Sequence, residues 1–150
     1  MKKLILKTTA AVMLLSLAFS ACKKSSVHVK TNTELLTQSS WKFSSATVNG
    51  ADASSRLQAC QKDNIYTFAV AGTGTVDEGP STCNPGDPQT IAFNWNFASN
   101  ETILHASTTI FSGGSNDFTI MTLSQTQLVV TFPYTPIVGP SFQVVITFIH

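Results

Sequence analysis

The fold is decided by the stretch Ile91-Ala92-Phe93-Asn94-Trp95-Asn96-Phe97, in which large apolar side chains alternate with small or polar ones. Successive side chains of a β-strand point to opposite faces, so a period of two indicates a strand with one buried face. The spacing of three to four residues that marks an amphipathic helix is absent from this stretch. With its flanks, the segment predicts a strand over Gln89–Ala98.

Working outward from this strand, the same alternation recurs along the chain, punctuated by Gly, Pro, Asn and Ser in turns. Only Ala53–Cys60 has the pattern of a short helix, with Asp52 as a possible N-cap. Everything else from Glu34 onward reads as β-structure. The seven further predicted strands are Trp41–Val48, Ile65–Val70, Thr73–Asp77, Ile103–Ile110, Phe118–Leu123, Leu128–Phe132 and Phe142–Ile149.

Eight strands joined mostly by short links predict an antiparallel up-and-down barrel. Closure pairs the first strand, which begins at Trp41, with the last, which ends at Ile149, and removes both exposed sheet edges. The alternative is a two-sheet β-sandwich. An immunoglobulin-like sandwich has a Trp between its paired cysteines, whereas Trp95 follows both Cys60 and Cys83. Pro133–Ser141 predicts a stiff, irregular excursion at one end of the barrel.

Several motifs also carry a family resemblance. Ser40-Trp41-Lys42-Phe43, Cys60-Gln61-Lys62-Asp63-Asn64-Ile65-Tyr66-Thr67-Phe68, Gly72-Thr73-Gly74-Thr75, then Gly79, Cys83 and Trp95-Asn96-Phe97 occur in this order. Over about Glu34 to His150, the chain resembles the lipocalin-like lipoproteins abundant in Bacteroidetes. The resemblance implies a small lipocalin-like barrel of undefined role. Ser39 stands where true lipocalins begin Gly-x-Trp, and the last strand has no arginine to lie across Trp41, so a retinoid or odorant ligand is not carried over.

The N-terminus reads as a bacterial lipoprotein signal. The predicted signal is residues 1–21, with a cationic start and an apolar Ala10–Phe19, and it ends at the small-residue junction Ser20-Ala21-Cys22. The segment resembles a relaxed lipobox with Phe19 in place of the usual Leu. The alternative, a transmembrane anchor, needs about 20 apolar residues. This run is shorter and is followed at once by Lys23-Lys24.

Cleavage of the signal leaves Cys22 as the first residue, and acyl chains on it anchor the protein to a membrane. We therefore expect residues 22–33 to be a lipidated cysteine and a polar, flexible tether, and residues 34–150 to be the barrel domain. Lys23, rather than Asp, follows the cysteine, and no acidic run comes after it. By resemblance to lipoprotein sorting rules, this predicts an outer-membrane protein that faces the periplasm.

Charge argues against one class of binding partner, and the cysteine content predicts one cross-link. The formal net charge is +1, but from Glu34 onward three basic residues stand against eight acidic ones, which argues against a nucleic-acid partner. Cys60 and Cys83 are the cysteines that remain after lipidation. In an oxidising compartment we expect them to form a disulfide. Two free thiols or a metal site are the alternatives.

The candidate ligand-binding residues are the large apolar side chains that share one strand face. An eight-stranded barrel is just wide enough to be filled by such side chains or to hold one small ligand, so core packing is the alternative interpretation. Their size alone places them inside. They are Trp41, Phe43, Tyr66, Phe68, Phe93, Trp95, Phe97, Phe118, Phe132 and Phe148, with Leu128 and Phe142 beside them.

Catalytic and metal-binding signals are weak. The histidines are His28, in the tether, His105, in a strand, and His150, at the terminus, too few and too scattered for a zinc site. Nothing indicates a nucleophile elbow or a phosphate loop. An acidic rim is predicted near the second cysteine, and we interpret it as solvated rather than as a calcium loop. It comprises Asp77, Glu78, Asn84 and Asp87.

Two functional hypotheses follow. The first is a non-catalytic, lipid-anchored barrel of the cell envelope that needs no cofactor and binds a small apolar molecule or a peptide. The second is a structural or interaction module of an outer-membrane assembly. An apolar cavity of a few hundred cubic ångströms favours the first. A filled barrel with a contiguous exposed apolar patch favours the second.

Overall fold

The computed structural model describes residues 28–111, 114–136 and 139–150. The predicted signal, Cys22 and the first part of the tether lie outside the described residues. Helix α1 (Asn32–Thr37) precedes the first strand. The chain then forms β1 (Trp41–Val48), β2 (Ala51–Asp52), a 3-10 helix (Ser54–Arg56), α2 (Ala59–Lys62), β3 (Ile65–Phe68), β4 (Thr73–Asp77), β5 (Thr90–Ala98), β6 (Ile103–Ala106), β7 (Asp117–Leu123), β8 (Gln127–Tyr134) and β9 (Phe142–Ile149).

The sheet is antiparallel and closes on itself. Strands β3 to β9 pair in sequence order, and β9 pairs with β1 from Lys42↔Ile149 to Val48↔Val144. Closure gives every long strand a neighbour on both sides, which removes the exposed edges of an open sheet. The predicted eight-stranded barrel is therefore confirmed, and the sandwich alternative is excluded.

Strand β1 diverges from β3 soon after both begin. The two pair only at Trp41↔Tyr66 and Lys42↔Ile65. Farther along, β1 is bordered instead by β2, through Val48↔Ala51, and by a hydrogen bond from the Ala53 amide to the Ala46 carbonyl. Residues 51–62, with their short helices, thus fill the gap between β1 and β3 at one end of the barrel.

The opposite end is covered by α1. Its Leu36 is fully buried, and the indole Nε1 of Trp41 donates a 2.8 Å hydrogen bond to the Leu36 carbonyl. This helix contradicts the prediction that everything outside 53–60 is β-structure. It also shortens the predicted tether, because Asn32 and Thr33 are helical and the His28 and Lys30 side chains already hydrogen-bond to Glu34 and Gln38.

Several predicted boundaries were wrong by a few residues. The strand predicted to reach Val70 ends at Phe68, because the Gly72 amide donates to the Ala69 carbonyl and turns the chain. The strand predicted to reach Ile110 ends at Ala106, and the strand predicted to end at Phe132 continues to Tyr134. The single helix predicted over Ala53–Cys60 is instead a 3-10 turn followed by α2, which contains Cys60. Within the part of the chain that the structure describes, no helix has the length and apolar character to span a membrane.

Candidate functional site

An aromatic layer divides the barrel interior. Phe111, from the segment after β6, packs against four rings of the barrel wall, with centroids 5.2 to 6.0 Å apart. Such offset and edge-on pairs fill space efficiently. The half of the interior beneath α1 is almost solid, with a void of only about 10 Å³. The four rings that Phe111 contacts are those of Tyr66, Phe118, Phe132 and Phe148.

The other half of the interior is a cavity of about 700 Å³. Strands β1, β8 and β9 supply a wall of aliphatic and aromatic side chains, since inward positions alternate along each strand. The apolar lining of this wall is Phe43, Ala46, Val48, Phe132, Tyr134, Phe142, Val144 and Ile146.

The remaining lining is mixed in polarity. It comes from residues 51–64, which bridge β1 and β3, from the chain between β4 and β5, and from residues 109–111. Tyr66, Val76 and Ile91 add to it from β3, β4 and β5. The lining residues Arg56, Asn84 and Asp87 are exposed and mark the mouth of the cavity. The other polar side chains of the lining are Gln61, Asn64, Glu78 and Thr109.

The predicted disulfide joins residues 51–64 to the chain between β4 and β5. The sulfur atoms of Cys60 and Cys83 are bonded, with 5.2 Å between their Cα atoms. The bond fastens α2 to the chain between β4 and β5, next to the cavity mouth. On the same side, the backbone N–H of Cys83 donates a 3.1 Å hydrogen bond to Glu78 Oε2.

Burial and hydrogen bonds shift the pKa values of two ionisable groups, Tyr66 in the cavity wall and Asp77 beside it. Desolvation raises the pKa of Tyr66 well above its usual value; the Asn64 side chain opposes the rise, and the negative charge of Glu78 adds to it. Hydrogen bonds from Gln89 and from the Gly79 amide lower the pKa of Asp77. The Tyr66 hydroxyl therefore stays protonated at neutral pH, and Asp77 stays ionised.

Comparison with known proteins identifies the family of this chain. A family model described as a lipocalin-like domain matches residues 38–130. The chain belongs to this lipocalin-like family. None of the curated proteins matches the chain.

Solved structures similar to this lipocalin-like chain include bovine odorant binding protein complexed with its natural ligand. That protein is 16% identical, with 81% of this chain and 75% of the other covered and a TM-score of 0.49. Its complex with a selenium containing odorant has 16% identity, coverage of 81% and 74%, and a TM-score of 0.48.

The predicted ligand-binding residues divide between the two halves of the lipocalin-like barrel. Phe43, Tyr66 and Phe132 line the cavity. Trp41, Phe68, Phe118 and Phe148 surround the small void of the filled half. The three aromatic residues of β5 also lie outside the cavity lining and pack as a chain of edge-on rings with Phe68. They are Phe93, Trp95 and Phe97.

The most important residue that the sequence interpretation missed is Phe111. It lies outside the strands, so alternation gave no signal for it, although its ring contributes to the floor of the cavity. Arg56, Leu57 and Gln61 were missed for the same reason. These residues lie between β1 and β3, and only the divergence of these two strands could have indicated that they lie near the mouth of the cavity.

Three of the four residues of the predicted acidic rim lie together, but the rim is not solvated throughout, because Glu78 is buried. Glu78, Asn84 and Asp87 line the cavity, whereas Asp77 accepts hydrogen bonds from Gly79 and Gln89. Among the described residues, no group of three His, Cys, Asp or Glu side chains is placed to hold a metal ion. His105 contacts Asp117 at 2.6 Å and is not part of the cavity lining.

Proposed function

We propose that the protein is a non-catalytic lipoprotein of the Bacteroidetes type, anchored to the cell envelope through Cys22, whose barrel binds one small apolar molecule. The observation that carries the binding role is the cavity of about 700 Å³. Sites for small molecules typically enclose roughly 300–1,000 Å³ and combine apolar walls with a few polar groups. The cavity has this size and this composition.

Ligand binding is favoured over the alternative of an interaction module. A module with a working outer surface is expected to have a filled interior and a contiguous apolar patch. This barrel is filled only on the side beneath α1. Among the exposed large apolar side chains of the described residues, Ile91, Met121 and Ile149 lie on β5, β7 and β9, no two of which are neighbours in the sheet. The others are Val29 and Val70.

The anchoring part of the proposal is supported by the sequence. The cationic start, the apolar run and the junction at Cys22 match a lipoprotein signal. Two or three acyl chains hold a domain at a bilayer, because each buried CH₂ contributes about 0.8 kcal/mol. We propose the outer membrane, with the barrel facing the periplasm. Mass spectrometry of the purified protein tests the lipid anchor: we expect an N-terminal acylated Cys22, and a Cys22→Ser chain without acylation.

Binding is tested with the full-length protein in phosphatidylcholine nanodiscs and the neutral fluorescent probe N-phenyl-1-naphthylamine, with empty nanodiscs as the blank. Saturable enhancement above the blank is expected. Val144 lines the cavity, and the neighbouring Gln143 is exposed on the outer face. Val144→Trp fills part of the cavity and is expected to weaken binding at least several-fold, whereas Gln143→Trp is expected to leave it unchanged. Equal affinity in all three proteins contradicts the proposal.

A further inference from the structure

We infer that the ligand is an apolar molecule bearing one protonated amino group, and that this group binds the carboxylate of Glu78. The inference rests on the proposed binding function and names the chemical class of ligand that the cavity takes.

Glu78 is a buried carboxylate on the cavity wall. The residue is 8% exposed, and it is the only polar or charged residue among the buried residues described. Its Oε2 accepts one hydrogen bond, from the Cys83 amide, and neither of the two ion pairs formed by the described residues includes it. Burying an ionised carboxylate is unfavourable unless a cation or several donors accompany it. A single amide N–H meets that requirement only in part.

The other charged groups of the lining do not neutralise Glu78. Arg56 is the only basic side chain among the described lining residues, and it is exposed at the mouth. Asp87, also at the mouth, is a second acidic group, so carboxylates outnumber cations around the cavity. The remaining titratable side chains of the lining are the phenols of Tyr66 and Tyr134. An anionic ligand would therefore meet net repulsion, and a cationic one attraction.

An ammonium group supplies what the Glu78 carboxylate lacks. Among the described residues, the Cys83 amide is its one hydrogen-bond donor. An ammonium group brings three donors and a positive charge.

The topology separates the charge from the apolar wall. Glu78 directly follows β4, and the ring order is β1, β3, β4, β5, β6, β7, β8, β9. In this closed order of eight strands, β4 and β8 are four strands apart, so they face each other across the lumen. Phe132 and Tyr134 line the cavity from β8, and Phe142 from β9. A ligand with its amino group at Glu78 therefore places its hydrocarbon part against these rings.

The test measures displacement of N-phenyl-1-naphthylamine from the full-length protein in phosphatidylcholine nanodiscs by decylamine, decanol and decanoate. These competitors share one chain length and differ in the head group. Glu78→Gln removes the charge but keeps an oxygen that can accept from Cys83. Asp117→Asn removes one charge from the exposed face of β7 and is the matched control. Since partition into lipid is common to all variants, the ratio of wild-type to variant affinity isolates the contribution of the protein.

We expect decylamine to bind at least about tenfold less tightly to Glu78→Gln than to the wild type, because hydrogen bonds to charged groups are that strong. Decanol is expected to be unaffected by either substitution. If the probe binds and the three competitors respond equally to Glu78→Gln, or if decanoate binds best, the inference is overturned while the binding function stands. If the probe does not bind the wild type, the binding function itself fails. If Glu78→Gln does not fold, the wild-type protein provides the test. After correction for measured partition into lipid, the affinity for decylamine must then exceed the affinity for decanol, and the opposite order overturns the inference.

Discussion

At the scale of single residues, Gly74 makes room for the aromatic packing of the barrel wall. It pairs with Phe68 on β3 and with Phe93 on β5, so the three residues form one row across three strands. The two rings meet edge-on, with centroids 5.5 Å apart. The Phe93 ring lies over Gly74, so any side chain at position 74 would overlap with this ring.

We predict that Gly74→Ala destabilises the protein by about 1–3 kcal/mol, the usual effect of adding a methyl group to a packed interior. The new Cβ would clash with Phe93 Cζ and would lie 2.8 Å from the Thr67 carbonyl oxygen. Chemical denaturation measures the loss. Phe93→Leu in the same background relieves the ring contact but not the carbonyl contact, so a double-mutant cycle should show partial recovery. An unchanged or higher unfolding midpoint for Gly74→Ala would contradict the packing described here.

Residue size and strand parity predicted burial well but not which half of the barrel a side chain occupies. Trp41, Phe68 and Phe118 are buried as their size indicated. Whether they line a cavity or fill the core depends on Phe111, which comes from an irregular segment, and on the closure of the end beneath α1. Both are long-range features without a local pattern.

At the scale of elements, α1 depends on a capping box. The Glu34 amide donates to Thr31 Oγ1, while the Thr31 amide donates to the Glu34 carboxylate at 2.8 Å. A Thr followed three residues later by Glu is a recognised sign of a helix start. The Thr31 to Glu34 spacing thus contained the signal for this helix. The six-residue helix is too short to show periodicity, which explains why it was missed.

We predict that α1 loses stability on acidification. The hydrogen bond from the Thr31 amide, followed by the His28 side chain, lowers the pKa of Glu34 from 4.5 to about 2. A carboxylate with a lowered pKa in the folded state stabilises above its ordinary pKa, and this contribution is lost as the pH falls through the folded value. Protection factors of the α1 amides, which correct for the pH dependence of exchange in an unfolded chain, should fall between pH 4.5 and 2 in NMR hydrogen-exchange measurements. Glu34→Gln should remove this pH dependence and Asp117→Asn should keep it; the same acid response in Glu34→Gln would refute the assignment.

At the scale of the whole molecule, the need to remove sheet edges was enough to predict closure of β1 onto β9. It was not enough to predict where the cavity lies. The opening arises because β1 and β3 pair at only two positions and residues 51–62 occupy the gap. Short 3-10 and helical turns of this kind are set by tertiary contacts and by the Cys60–Cys83 bond rather than by a repeating pattern.

We predict that β9 has a hydrogen-exchange pattern that is expected for a closed barrel but not for an open sheet. Strand β9 lies between β8 and β1, so amides of both parities from Val144 to Ile149 have acceptors. At an open edge, every second amide would face solvent. We expect both parities in β9 to exchange as slowly as those of β4, through global unfolding. The two-residue β2, with β1 as its one neighbour among the described strands, is the internal control and should exchange quickly. Alternate fast and slow amides along β9 would mean that the barrel is open. The cavity between β4 and β8 would then not be surrounded by strands.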